Sequence, residues 1–218
     1  MQTTETHARK TSELVRELAR EAGTRSRTRL PFGWVLAMGA VLSFMAALCV
    51  VAGVFGARAD LPGLPASGIF QFKVAAMGLL ACGALALLRA AGMPGARLRP
   101  WLAVLPVALL LLVGVWVDGS GFPITGARSV SIPVCLGAIV LAAAPGLAIL
   151  LAVLRRGIPT RLASAGAMAG LLSGALGALA YTIACINDGA LFVAVWYSAA
   201  ILATTLLGAI LGPRILAW

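Results

Sequence analysis

Histidine is almost missing from this chain: there is one, His7, among 218 residues. Acidic residues number only seven, and no Asp, Glu or Arg falls in the middle of a long apolar run. A Ser-His-Asp or Cys-His nucleophile needs a base beside it, and none is available. Proton relays and ion-coupled transport usually rest on ionisable groups at membrane depth, and those are lacking too. The four cysteines, Cys49, Cys82, Cys135 and Cys185, form no CxxC and no zinc-ligand spacing. These absences argue against an ordinary hydrolase and an ion-coupled transporter, and no cofactor is implied.

What is present is apolar. The chain is 61% hydrophobic and 11% charged, the composition of a lipid-embedded protein. A bilayer-spanning helix takes about 20 mostly apolar residues. Six runs qualify, at 32–55, 69–89, 101–117, 132–154, 162–184 and 191–212, and the third is the shortest. The breaks RADLPGLPASG, AAGMPGARLRP, DGSGFPITGARS, RRGIPTR and CINDGA carry the Gly, Pro, Arg and Asp that end helices or belong in water. The first run reads as a retained span and not a signal peptide, because the tail before it contains four Glu and the run is too long for an h-region.

Lys and Arg set the orientation. Fourteen of the 17 lie in the N-terminal tail, the second and fourth breaks and the C-terminus. Only Arg58, Lys73 and Arg128 lie on the other side, together with all three aspartates, Asp60, Asp118 and Asp188. Both termini are therefore expected in the cytoplasm. The net charge of +10 is mostly a topology signal and gives little support to direct nucleic-acid binding. The expected fold is an all-α membrane protein, a six-transmembrane-helix bundle with a short amphipathic N-terminal helix. It divides into a cytoplasmic segment, 1–31, and a transmembrane domain, 32–218.

This topology assigns each cysteine a depth. Cys135 lies about three residues into the fourth run, and Cys185 ends the fifth. Both fall at the outer rim, on the oxidising side, where two water-exposed thiols can form a disulfide or bind a soft metal. They can equally be small buried hydrophobes, and the residues alone leave both readings open. Cys49 lies in the outer part of the first run. Cys82 lies in the inner half of the second, shielded from water. Asn187 and Asp188 favour a turn. The Asp188 carboxylate would tend to raise a neighbouring thiol's pKa, or it could supply an oxygen ligand. Trp116, Trp196 and Tyr197 near the outer interface, and Trp34, Trp101 and Trp218 near the inner one, read as an aromatic belt. Trp196 and Tyr197 are also close enough in depth to pack around Cys185. Lys73, near the outer end of the second run, can snorkel to the interface.

Gly166, Gly170 and Gly174, followed by Gly177, and then Gly208 and Gly212, have the spacing that lets helices approach closely in lipid. Packing within the chain is the expected use. Pro145 is expected to kink the fourth span. In the tail, residues 12–22 read as one helix with Leu14, Val15, Leu18 and Ala22 on one face, Thr11 or Ser12 as cap and Gly23 as stop. An 11-residue helix is marginal alone in water, so this one is expected to fold on a partner groove or lie on the membrane surface, anchored by the basic run from Arg25 to Arg29.

Arg155-Arg156-Gly157-Ile158-Pro159-Thr160 before a glycine-rich span, Cys185-Ile-Asn-Asp-Gly-Ala-Leu-Phe-Val-Ala-Val-Trp196-Tyr197, the closing Leu-Gly-Ala-Ile-Leu-Gly-Pro-Arg214 with Trp218, and Ile132-Pro-Val-Cys135 with Pro145 beyond it together resemble the NrsF-type anti-sigma factors of proteobacterial inner membranes. The resemblance covers essentially the whole chain and is most specific from Cys135 onward. It implies a regulator that holds a cognate ECF sigma factor through its cytoplasmic N-terminal segment, here Leu14, Val15 and Leu18. It also implies release when a cysteine pair, matched by Cys135 and Cys185, meets oxidant or heavy-metal stress; sensing by metal would make those two thiols the ligands. Asp188 and Trp196 are candidate surroundings of the pair. A membrane thiol-disulfide oxidoreductase and a small-molecule transporter are the alternatives, and the oligomeric state is left open.

Overall fold

Prolines set where several helices begin. The computed structural model describes residues 11, 13–20, 31–93 and 99–217. Helix α1, residues 13–20, belongs to the tail. Pro31 caps α2, Phe32–Val54, and Pro100 caps α4, Trp101–Val117; proline suits a helix start because the first N–H groups have no intrahelical partner. Between them lies α3, Gly68–Ala91, preceded by a 3₁₀ turn at Leu61–Ala66. Then follow α5, Ser131–Leu154, α6, Leu162–Tyr181, and α7, Ala190–Leu216. Gly56 ends α2: at φ 74° it turns the chain where an L side chain would be strained, and its N–H reaches back to the Val51 carbonyl (3.1 Å).

The long helices run back and forth between two ends. At one end Phe32, Gly92 and Gly157 meet, and the Ile158 N–H donates to the Gly92 carbonyl (3.3 Å). At the other, the segments 55–67, 118–130 and 182–189 cluster. There the Arg58 N–H donates to the Ile183 carbonyl (3.1 Å), and Asp118 accepts from the N–H of Ala190 (2.6 Å), the first residue of α7. Five helices, α2, α3, α5, α6 and α7, are long and apolar enough to cross a membrane. With 17 residues, α4 is shorter and lies at the periphery, burying only Ala103 and Val107. The expected all-α architecture is present. The fifth helix stops at Tyr181, short of the expected 184, so Cys185 lies in the connecting segment and not on the helix.

Helix α6 is the hub, with 13 of its 20 residues buried, packed against α2, α3, α5 and α7. The glycine stripe is used within the chain. A Cβ on Gly166 would strike the Gly208 carbonyl, one on Gly170 would strike the Thr204 carbonyl, and one on Gly212 would strike the Leu162 carbonyl. Backbones in lipid come this close only where side chains are missing. Gly177 seats α6 on α5 in the same way: a Cβ there would come within 3.0 Å of Ala143 N and Ile139 O. Helix α5 runs continuously through Pro145. Apolar side chains such as Leu112, Trp116 and Leu202 are exposed, which is the surface a lipid-embedded bundle presents.

Gly170→Leu is expected to separate α6 from α7 and cost about 1–3 kcal/mol or more. Gly78→Ala and Gly137→Ala, which project into open space, should be neutral or slightly stabilising. Thermal unfolding of the detergent-purified protein distinguishes the two sets.

Candidate functional site

Cys135 and Cys185, fifty residues apart in sequence, meet. Cys135 is carried one turn into α5. Cys185 follows α6 by one turn, and its N–H still bonds the Tyr181 carbonyl (3.0 Å). The two thiols are within side-chain hydrogen-bonding reach of each other, and both are unoxidised. Their setting corrects an expectation: they are not wet, being 0% and 1% exposed. Cys49 and Cys82 are the exposed ones, and they lie on α2 and α3, on the outer surface of the bundle.

Two further side chains face the pair at Cys185. The Tyr197 hydroxyl, wholly buried and without a nitrogen or oxygen partner among the described residues, faces the Cys185 sulfur. A π-helical turn at Val193–Tyr197 sets that ring's direction within α7, and such turns recur at functional sites. The ring stands edge-on to Tyr181 (6.3 Å, 86°), which stands edge-on to Phe55 (5.8 Å, 76°). Asn187 is buried; its Oδ1 accepts from the Ala127 N–H (2.9 Å) and its Nδ2 approaches Cys185 Sγ (3.9 Å). Trp196 is engaged elsewhere, its indole N–H donating to the Ile124 carbonyl (2.8 Å).

Behind the thiols lies a charge cluster. Lys73 does not snorkel. Its side chain is 1% exposed and its ammonium bonds Asp188 Oδ1 (2.7 Å). Arg58 holds the other oxygen of Asp188 (3.0 Å), donates to the Cys185 carbonyl (2.9 Å), and pairs with Asp60 through Nε (2.6 Å) and Nη2 (2.7 Å). Asp188 is therefore more than a turn former: it joins α3, the segment after α2 and the 182–189 segment. Burial works against its charge, but hydrogen bonds from Arg58 and Lys73, with their charges, hold its carboxyl below the usual range. Those bonds leave it committed to the two cations and not to a metal, and no group of three His, Cys, Asp or Glu suited to a metal occurs among the described residues. The Cys185 thiol is held below its ordinary range, first by the Cys135 thiol donating to it, against the effect of burial, and then by the Lys73 ammonium, the Tyr197 hydroxyl and the Asn187 N–H.

Sequence reasoning named the pair and Asp188 but missed Lys73 and Arg58 as partners. One signal was available: a lysine inside an apolar run has the same outer level as the lone acid of the opposing loop. Leu14, Val15 and Leu18 are on α1 as expected, each more than half exposed. Ser12, Ala22, Gly23, the basic run from Arg25 to Arg29 and Trp218 lie outside the described residues.

Comparison with known proteins gives one family. The NrsF family, described as "Negative regulator of sigma F", matches residues 18–218. A "Probable anti-sigma-F factor NrsF" of Azospira oryzae is 32% identical over 225 residues, covering 96% of this chain and 100% of that relative. The "Anti-sigma-F factor NrsF" of Caulobacter vibrioides is 31% identical over 215 residues, with 96% and 100% covered. No solved structure matches the chain significantly.

Asp188→Asn should leave Lys73 buried without an ionic partner and destabilise the protein by about 3–5 kcal/mol at neutral pH. Because the folded carboxyl titrates below its unfolded value, its contribution is complete above the unfolded pKa and is lost as pH falls through the folded one. The difference between wild type and variant in thermal unfolding should therefore close in acid, below about pH 4.

Proposed function

The chain belongs to the NrsF family of negative regulators of sigma F, and on that premise we propose that it is an anti-sigma factor of the bacterial inner membrane that captures an ECF sigma factor. The reading has six spans, α4 included, and cytoplasmic termini, supported by the bias of Lys and Arg toward one end of the bundle. The tail presents Leu14, Val15 and Leu18 to the sigma factor and covers surfaces it needs for RNA polymerase. Their exposure on one short helix supports this, since an apolar helix face lacking a partner fits a groove. The role is regulatory and not catalytic.

The observation that carries the sensing half is the meeting of Cys135 and Cys185, in a chain otherwise poor in reactive groups. Oxidant stress joins the two thiols, or a soft metal bridges them. With Asp188 held by Lys73 and Arg58, such a metal relies on the two sulfurs.

The change passes to the tail through rigid elements. Arg58 ties the Cys185 carbonyl and Asp188 to the chain just after α2, and the other end of α2 adjoins the tail. Its 23 residues span about 35 Å, roughly a bilayer's hydrocarbon core. A shift of the 182–189 segment thus bears on α2 directly, with α5 around Pro145 and the glycine-lined α6 adjusting beside it.

Replacing both Cys135 and Cys185 by Ser should abolish stress-induced release of the sigma factor, read by co-purification of the two proteins from stressed cells; normal release in the double variant removes the sensor assignment. Oxidative joining predicts loss of alkylation at both thiols that a reductant reverses, whereas metal bridging predicts protection that a chelator reverses. Separately, Leu14→Asp with Leu18→Asp should weaken capture of the sigma factor by about tenfold or more, since each buries a charge in an apolar contact. Undiminished capture in a pull-down would refute docking through this face.

A further inference from the structure

The two thiols are sealed from bulk solvent, so whatever modifies them must come through the protein wall. A cavity of about 320 Å³ lies at the same end of the bundle, lined by immediate chain neighbours of both thiols. Its lining includes Tyr181, Ala184, Ile186 and Asn187 on one side and Ser131 and Val134 on the other. Val134 precedes Cys135, Ala184 and Ile186 flank Cys185, and the Asn187 amide approaches the Cys185 sulfur at 3.9 Å. Asn187 is thus shared: it lines the cavity and its amide approaches the Cys185 sulfur.

The charged residues of the lining are both basic. Arg58 and Arg128 both border the cavity, and no acidic residue does. The two arginines are not equivalent. Arg58 is engaged by Asp60 and Asp188. Arg128 is exposed at the mouth and forms no salt bridge among the described residues, and its backbone N–H is fixed by Ser131 Oγ (3.0 Å). A guanidinium without a carboxylate at the mouth of a small cavity attracts anions and disfavours cations.

We propose that this cavity is the entry site for the thiol pair and that it admits small anionic thiol reagents, with Arg128 as the selecting group and Asn187 and Tyr181 as the inner wall. This rests on the sensor reading for its biological meaning but not for its test. Arg128 acts on the encounter and not on the thiols: its charge raises the local concentration of an anionic reagent, and the advantage falls with ionic strength.

The test uses the full-length chain in phosphatidylcholine vesicles, whose surface carries no net charge. Modification of Cys185 and Cys135 is followed by mass spectrometry with two methanethiosulfonate reagents of similar size, one a sulfonate and one a quaternary ammonium. In each the thiolate attacks the sulfenyl sulfur, a disulfide forms and methanesulfinate leaves, so only the charge of the reagent differs. The sulfonate is expected to react about tenfold faster relative to the cation. Arg128→Gln should bring the ratio near one and Arg128→Lys should largely preserve it. Inorganic sulfate should slow the sulfonate reagent in the wild type beyond sodium chloride at equal ionic strength, and not in Arg128→Gln. Arg128 is exposed, so both variants should unfold at the wild-type temperature. A ratio unchanged by Arg128→Gln, a cation that reacts as fast as the anion, or sulfate acting only as ionic strength overturns the proposal. Because the readout is labelling and not sigma-factor release, the entry site can fail while the sensor stands, and the reverse.

Discussion

One carboxylate ties together the end of the bundle where the segments 55–67 and 182–189 meet α3. Lys73 is buried on α3, and an ammonium taken out of water without a partner costs several kcal/mol. Asp188 supplies the partner at 2.7 Å and simultaneously binds Arg58 at 3.0 Å. The placement of α3, of the chain leaving α2 and of the 182–189 segment is thus conditional on a single side chain. Cys185 sits three residues before it with its carbonyl bonded to Arg58. The thiol pair is therefore positioned by a charge cluster on one side and by α5, which carries Cys135, on the other.

Below the rim the constraint has a different character. Helices in lipid gain little by hiding apolar surface from other apolar surface, so close backbone approach and hydrogen bonds must hold them. The contact of α6 with α7 through Gly166, Gly170, Gly208 and Gly212 is of this kind, and so is Gly177 against α5. Ser43 adds a polar tie, its hydroxyl donating to the Gly39 carbonyl (2.7 Å) and reaching the Gly146 carbonyl on α5 (3.3 Å). Such a seam tolerates little side-chain growth and fixes α5, α6 and α7 as one unit. The polar rim above it is instead held by ionic and hydrogen bonds that link α3 to the connecting segments.

The helices were legible in the sequence because apolar runs of about 20 residues leave few other solutions, and Pro31, Pro100 and Gly56 mark boundaries by their own backbone restrictions. Counting residues along the runs also placed Cys135 and Cys185 at one depth. Hydropathy reads depth, however, and not direction around a helix axis. The thiols expected to be wet are buried, while Cys49 and Cys82 face outward. Lys73 misled for a related reason: near the end of an apolar run it reads as a snorkelling side chain, and its partner is 115 residues away. The aim of Tyr197 depends on a π-helical turn at 193–197, which leaves no mark in residue pattern. Leu14, Val15 and Leu18 were legible as a face because helical spacing alone defines one.

For a thiol sensor of the kind proposed, burial and responsiveness pull in opposite directions. A thiol facing solvent would react with every passing electrophile, and one deep among helices would react with none. The four cysteines divide along these lines by location. Cys49 and Cys82 face the surroundings of apolar helices, where charged reagents do not partition. Cys135 and Cys185 are buried beside residues that line a small cavity, and at Cys185 the Cys135 thiol and then Lys73 favour the thiolate form. On the proposed reading, the Cys135 thiol and then Lys73 set reactivity at Cys185, and the cavity sets access. Because Asp188 and Arg58 connect the cluster to α2, a change at the sulfurs acts on the same few bonds that fix the rim. On the proposed route, detection and transmission share one set of residues, and any substitution that loosens the rim should alter both together.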